Sequence, residues 1–319
     1  MFTNLTHNKI AVIGTGNVGS TAAYALMISG IASEIVLIDI DKDKAMGEAM
    51  DLNHGAAFVK PVIVKHGDYS DCQEASIIII TAGANQKPGE TRLDLLGRNI
   101  KIYKDIIPNT IKYNDKAIYI IVTNPVDILT YVTWKMSGLP VSRVIGSGTV
   151  LDTSRFRYLI SQQCGIAARN VHAYIIGEHG DTEVPIWSLS NIVGIGIDEY
   201  CLNYCRNCDR KINKEEIFFK VKNAAYEIIE KKGATYYAVG LAIRRIVEGI
   251  LRDENSIMTV SSVMQGYYGV HGIALSLPSV INRKGVSAVL ELPLTQEEQQ
   301  AFYNSGERLK KLLMDAGGI

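Results

Sequence analysis

The apolar positions of this chain gather in short runs, and polar or helix-periodic stretches separate them. Lys9 to Ile13 reads as a short buried strand, Val18 to Ser29 as a helix rich in alanine and other small residues, and Ile35 to Asp39 as a second strand. Together they predict a βαβ unit of about thirty residues. Further apolar runs follow at Ser76 to Thr81, Ala117 to Thr123 and Arg143 to Gly146. Strands buried on both faces read as unbroken apolar runs, so the alternation predicts an α/β fold, a Rossmann-type doubly wound parallel sheet with helices on both faces. After Gly146 the pattern changes. Thr153 to Gln163 reads as a helix, Val171 to Ile176 and Ile192 to Ile197 as strands with Gly-bearing turns, and Lys214 to Lys232 and Tyr236 to Asp253 as two long helices. Ile257 to Leu277 reads as further strands, and Thr295 to Met314 as a closing helix opened by the capping box Thr295-Gln-Glu-Glu298. The expected organisation is one α/β part over residues 1–146 and a second, α+β part over residues 147–319.

Composition narrows the functional classes. In 319 residues, 47% hydrophobic content furnishes a full core, and 33 basic residues against 33 acidic ones leave no net field to draw nucleic acid or an anionic membrane. The longest apolar runs, Ile77 to Ile80 and Ala117 to Val122, fall far short of the ~18 residues of a membrane span. The opening stretch, Met1 to Lys9, carries neither a basic n-region nor an apolar h-region, so the expected location is cytoplasmic. Five cysteines, an odd number, argue against a disulfide framework and fit a reducing compartment. Cys201, Cys205 and Cys208, at i, i+4 and i+7, would align on one helix face. A metal site there would need a fourth ligand and usually another segment, and no His is near in sequence, so the default reading is helix packing or surface thiols, with no metal.

Chemistry enters with Gly14-Thr-Gly-Asn-Val-Gly19, which lies between the first strand and the first helix. This is the dinucleotide fingerprint, whose glycines permit a tight turn, close approach of the backbone to a pyrophosphate and close helix packing. Asp39, at the end of the next strand, can accept hydrogen bonds from both ribose hydroxyls and would repel a 2′-phosphate, which points to NAD rather than NADP. The competing readings are a plain tight turn for the glycines and a strand-end turn residue for Asp39.

Two further stretches, Asp152-Thr-Ser-Arg155 and Gly177-Glu-His-Gly-Asp181, supply a carboxylate, a guanidinium and an imidazole. These are groups suited to binding a small carboxylate and moving a proton at the neighbouring carbon. The stretch Gly83-Ala-Asn-Gln86-Lys-Pro88-Gly-Glu-Thr-Arg92 reads as a loop at the carboxyl edge of the sheet, where ligands of doubly wound folds bind. With Val122-Thr-Asn-Pro-Val-Asp127, these motifs occur in an order that resembles the lactate/malate dehydrogenase family, within it the bacterial-type L-lactate dehydrogenases, from the fingerprint to the C-terminal helix.

The resemblance implies NAD-dependent interconversion of (S)-lactate and pyruvate, in the fermentative direction of pyruvate reduction. It assigns NAD binding to residues 1–146 and substrate binding and catalysis to residues 147–319. His179 is then the proton donor and acceptor, a task suited to a group titrating near neutrality, with Asp152 holding its ring. Arg155 binds the substrate carboxylate by two parallel hydrogen bonds, and Arg92 meets the charge that develops on the carbonyl oxygen, carried in by closure of the loop from about Gly83 to Leu93. Asn124 and Thr235 line the substrate pocket. The cofactor site takes in Gly14, Gly16, Asn17, Val18, Gly19, Asp39, Thr81, Gly83, Ala84, Val122 and Asn124. Gln86 stands where malate-specific relatives carry an arginine; glutamine offers no charge to a second carboxylate, which favours pyruvate over oxaloacetate. Arg157 and His172 match positions tied to fructose 1,6-bisphosphate at a subunit interface, and a homotetramer is expected. The bland alternatives are a loop histidine for His179, surface ion pairs for the arginines, and turn or cap residues for Asn124 and Thr235. At the level of function, the alternatives are a malate or broad 2-hydroxy-acid dehydrogenase and a catalytically silent NAD-binding protein.

Overall fold

The computed structural model describes residues 8–84, 92–207 and 210–317, with Arg92 described in its backbone alone. The first half alternates strand and helix: β1 (Lys9–Ile13), α1 (Asn17–Ser29), β2 (Glu34–Ile38), α2 (Lys42–His54), β3 (Ile63–His66), β4 (Ile77–Ile80), α3 (Arg92–Ile111), β5 (Ile118–Ile121), α4 (Val126–Ser137) and β6 (Val144–Gly146). These six strands are parallel and stand in the order β3-β2-β1-β4-β5-β6. That is the strand order of a dinucleotide-binding sheet, with its crossover point between β1 and β4. The centre is built from β-branched residues buried on both faces; Ile77, Ile78, Ile79 and Ile80 are all without solvent contact. β3 escaped the sequence reading because it is an edge strand with an exposed, partly polar pattern, Ile-Val-Lys-His.

The second half continues the same sheet. α5 (Val150–Cys164), β7 (Val171–His172), β8 (Ile175–Gly177), β9 (Glu183–Pro185), β10 (Asn191–Ile192), β11 (Ile195–Gly196), α6 (Ile197–Asn203), α7 (Lys214–Lys232), α8 (Tyr237–Leu251), β12 (Ser256–Gln265), β13 (His271–Asn282), β14 (Gly285–Val289) and α9 (Gln296–Asp315) follow in order. β12 pairs with β6 through Ser261 and Gly146, so the parallel sheet passes directly into the antiparallel series β12-β13-β8-β9. The capping box at α9 forms as expected, with Thr295 Oγ1 accepting the Glu298 N–H at 3.2 Å and Glu298 Oε2 accepting the Thr295 N–H at 3.0 Å.

Two expected strands are divided. Val171 to Ile176 splits at Ala173-Tyr174: β7 joins β10 and β11 in a separate three-stranded sheet, whereas β8 enters the large one. Ile192 to Ile197 is interrupted because Val193 and Gly194 both take positive φ, making a tight hairpin between β10 and β11 that runs on into α6. The expected helical alignment of the cysteines also fails. α6 ends at Asn203, before Cys205, and Cys208 lies outside the described residues.

A buried polar network seats α5 on the sheet. Thr149, which precedes the helix, donates its N–H to Ser276 Oγ and to the Thr259 carbonyl, and its hydroxyl to the Ile175 carbonyl at 2.6 Å. One turn on, Thr153 Oγ1 accepts the Ile175 N–H at 3.0 Å and meets Thr259 Oγ1 at 2.9 Å. The network fixes α5 against β8, β12 and β13 before any catalytic side chain is considered. Thr153→Val keeps the shape but strands the Ile175 N–H, and is expected to cost about 1–3 kcal/mol in urea unfolding; a change within experimental error would show that the network contributes nothing.

Candidate active site

The fingerprint turn is shaped as the glycines require. Gly14 has φ +96°, and a Cβ there would strike the backbone of Ala82; at Gly19 a Cβ would strike the Gly14 carbonyl. Around Gly16, by contrast, a Cβ would find open space, the kind of cradle a pyrophosphate fills. Gly16 also opens α1 without a side-chain cap, and the first turn holds no acidic residue, so the positive end of the helix faces that space unneutralised. Asn17 and Val18 form that first turn. Asp39 Oδ2 accepts the Thr15 N–H at 2.6 Å and the Thr15 hydroxyl at 3.0 Å, and Oδ1 accepts the Asp41 N–H at 3.1 Å. Partial burial raises the Asp39 pKa, but these hydrogen bonds and Lys44 hold it below its ordinary value. The residues present fit an NAD-type cofactor.

The neighbouring strand ends are tied together. Thr81 donates its hydroxyl to the Gly14 carbonyl at 2.7 Å, and Asn99, buried on α3, accepts the Ala84 N–H and donates to the Asn124 carbonyl, both at 2.8 Å. Gly83, against Thr123, Val122 and Asn124 complete this carboxyl edge. Asn99 was not anticipated, because its partners lie 15 and 25 residues away. Gln86, the Arg92 side chain and most of the loop from Gly83 to Leu93 fall outside the described residues.

At the other part of the site a single buried carboxylate joins the two expected cationic groups. Asp152, in the first turn of α5, is 2% exposed. Its Oδ2 lies 2.5 Å from His179 Nδ1, and its Oδ1 accepts from Arg155 Nη1 at 2.8 Å. The i to i+3 spacing on α5 brings Arg155 onto the face of Asp152, while His179 arrives on the turn between β8 and β9. Burial raises the Asp152 pKa, yet His179 and Arg155 together bring it below the usual carboxylate value. Burial lowers that of His179, but the charge and hydrogen bond of Asp152, aided by Asp127, outweigh it and push the imidazole up to about 9.

The turn carrying His179 is held from two sides. Asp127, buried in the first turn of α4, accepts the His179 N–H at 2.8 Å through Oδ2 and the Ser261 hydroxyl at 2.6 Å through Oδ1. Burial pushes Asp127 up to about 7 despite those donors. Ser305 of α9 accepts the Glu178 N–H at 3.0 Å and meets Thr182 Oγ1 at 2.9 Å, and Glu178 accepts from Thr182. Glu183, on β9, is buried with Oε1 unpartnered; burial, reinforced by the negative Asp152, pushes it up to about 8. Sequence reasoning gave Asp127 no role and passed over Ser261, Glu183 and Ser305. The Asp127 bonds span 52 and 134 residues, so no local spacing could reveal them.

The remaining expected residues lie apart from this chain of charges. Thr235 is half-buried in the connection between α7 and α8, and no hydrogen bond among the described residues links it to His179 or Arg155. Arg157 donates Nε to the Ala173 carbonyl at 2.9 Å and stacks 4.8 Å from the Tyr174 ring, beside the exposed His172. It also lines a cavity of about 390 Å³ with Arg169 and Arg245.

Two family profiles match the chain: the lactate/malate dehydrogenase NAD binding domain over residues 8–146, and the lactate/malate dehydrogenase alpha/beta C-terminal domain over residues 149–317. The chain is 63% identical over 308 residues to an L-lactate dehydrogenase of Thermoanaerobacter sp. (strain X514), covering 97% of this chain and 99% of that one. It is 58% identical to L-lactate dehydrogenase 1 of Clostridium acetobutylicum, covering 96% and 98%. Among solved structures, the minor L-lactate dehydrogenase of Enterococcus mundtii in ligand-bound form superposes with a TM-score of 0.92 at 44% identity, covering 97% of this chain and 98% of that one. A lactate dehydrogenase from a Medee basin deep-sea metagenome library gives 0.93 at 46%, covering 98% and 99%.

Because His179 holds its proton more tightly folded than unfolded, the stability it contributes is complete below pH 6.5 and is lost as the pH rises through about 9. In an NMR titration its midpoint is expected near 9. Asp152→Asn should lower that midpoint by about one unit or more, since burial then acts without the opposing charge; an unmoved midpoint would disprove the assignment of the shift to Asp152.

Proposed function

The chain belongs to the lactate/malate dehydrogenase family, and from that premise we propose how its residues work. It is an NAD-dependent enzyme that interconverts (S)-lactate and pyruvate. The observation that carries the assignment of roles is Asp152, buried and bonded at once to His179 and Arg155.

Residues 1–146 hold the cofactor through Gly14, Gly16, Asn17, Val18, Gly19 and Asp39, with Thr81, Gly83, Ala84, Val122 and Asn124 at the strand ends; residues 147–319 bind the substrate and carry the proton chemistry. When bound, NADH supplies the hydride for the substrate carbonyl carbon. Arg155 keeps N–H groups beyond the one given to Asp152, and these take the pyruvate carboxylate as a two-pronged fork. His179, its Nδ1 engaged by Asp152, transfers a proton from Nε2 to the carbonyl oxygen in reduction and recovers it in lactate oxidation. Arg92 stabilises the negative charge growing on that oxygen, while Asn124 and Thr235 border the pocket. Gln86 carries no charge, so a second substrate carboxylate goes unpaired, at several kcal/mol in a dry site.

The enzyme works as a cytoplasmic homotetramer. Supporting assembly, α1, α2 and α8 leave Tyr24, Ile28, Met46, Met50, Tyr237 and Leu241 exposed; among the described residues no helix is long and apolar enough to cross a membrane. Fructose 1,6-bisphosphate activates it through Arg157 and His172. Arg169 and Arg245, which share a cavity with Arg157, support an anionic effector.

NADH oxidation with pyruvate is expected to exceed that with oxaloacetate in kcat/KM, and Gln86→Arg should shift the ratio towards oxaloacetate. Oxaloacetate preference in the unaltered enzyme would overturn the role of Gln86, and no turnover with either would favour a silent NAD-binding protein. Pyruvate reduction should weaken as the pH rises through about 9, and lactate oxidation as it falls below that value; the reverse pattern would remove His179 from proton transfer. Fructose 1,6-bisphosphate should lower the apparent KM for pyruvate, and identical saturation curves with and without it at acid and neutral pH would reject the effector.

A further inference from the structure

Away from the catalytic site, three cysteines from two segments converge. Cys164 is the last residue of α5, Cys201 lies in α6, and Cys205 follows the end of that helix. Their sulfur atoms all lie within 4.8 Å of one another, and Cys164 Sγ is 3.7 Å from Cys201 Sγ. Cys72, Cys164 and Cys201 are thiols, whereas Cys205 is disulfide-bonded. The sequence reading, which sought a metal site along one helix, lacked a second segment; the fold supplies it through Cys164, 37 residues before Cys201.

A zinc ion bound tetrahedrally at the usual Zn–S length of about 2.3 Å holds its sulfur ligands roughly 3.8 Å apart. The Cys164–Cys201 pair already has this spacing, and Cys205 needs to close by no more than about 1 Å to match it. The surroundings favour a cation. Cys205 Sγ lies 3.9 and 4.0 Å from the carbonyl oxygens of Cys164 and Gln163, at the negative end of α5, which attracts positive charge and disfavours an isolated thiolate. Phe156, Ile160, Ile197 and Ile217 belong to the same apolar cluster, which keeps water from the sulfurs. In that setting burial pushes Cys164 up to about 12 and also raises Cys201, so that neither thiol is reactive by itself.

We propose that Cys164, Cys201 and Cys205 form a three-thiolate site for a thiophilic divalent cation of the zinc class, open only when Cys205 is reduced. A dithiol reductant gives two electrons and two protons to the Cys205 disulfide; the S–S bond breaks, both of its sulfurs become thiols, and the reductant becomes a disulfide. The cation then binds three thiolates and displaces one proton from each thiol. The bound ion clamps the chain leaving α6 to the end of α5, the helix that carries Asp152 and Arg155. Cys205 thus alternates between a disulfide-bonded and a metal-bound form.

The test uses the full-length protein, reduced with a dithiol, desalted without oxygen and titrated with Co(II) alone. One equivalent per chain is expected to give thiolate-to-cobalt charge-transfer absorption and the visible bands of a tetrahedral ion, with release of about three protons per ion. Cys164→Ser and Cys201→Ser should each weaken binding at least about tenfold, an expectation set by loss of one of three ligands. Cys72→Ser, on the far thiol, should bind as the unaltered chain does. Cys164→Ala, which suits an apolar site better than serine, guards against a folding defect, and far-ultraviolet circular dichroism checks each variant. Absence of the bands after reduction, or their survival in both Cys164 and Cys201 variants, would overturn the site. Equal binding without reduction would overturn its control by Cys205.

Discussion

A carboxylate with almost no water around it is the constraint on which this site is built. Burying an ion costs several kcal/mol unless partners compensate, and Asp152 is compensated twice, by the His179 imidazole and the Arg155 guanidinium. With His179 protonated, the three groups together carry one net positive charge. The trio therefore presents one positive charge to a substrate carboxylate. Burial and the negative Asp152 raise the nearby Glu183 to about 8.

The fold meets this demand by bringing parts of the chain together that are far apart in sequence. α5 offers Asp152 and Arg155 on one face, but the helix is aimed by Thr149 and Thr153 bonding to β8, β12 and β13. His179 sits on a turn whose backbone is fastened by Asp127 of α4 and, through Glu178, by Ser305 of α9. The last helix thus acts on the active site without supplying a reacting group.

The parallel half of the fold was legible because its signals are local: apolar runs two faces deep, a glycine turn at a fixed spacing, and Asp39 at the next strand end. His179, Asp152 and Arg155 were legible as chemistry, and the last two also as helix neighbours. Val171 to Ile176 misled because both halves of that run are apolar, while the switch of sheets at Ala173-Tyr174 depends on which strands arrive beside them. Asp127, Asn99, Glu183 and Ser305 were illegible for the same reason, since their roles rest on contacts between distant segments. Cys164 shows this most plainly; only the packing of α5 against α6 reveals that it belongs with Cys201 and Cys205.

The pairing of Gly146 with Ser261 joins the parallel and antiparallel strands into one sheet. A Cβ at Gly146 would press on Thr130 Oγ1 and on Ser261 Cβ, and one at the left-handed Gly148 would meet Ser261 N and Ser276 Oγ. The seam is thus closely packed, with no room for a side chain at either glycine. Evolution therefore has little freedom at this seam: any side chain there must displace backbone or side chains of β12 and β13, whereas a change in a surface connection leaves the joint between the two strand series untouched.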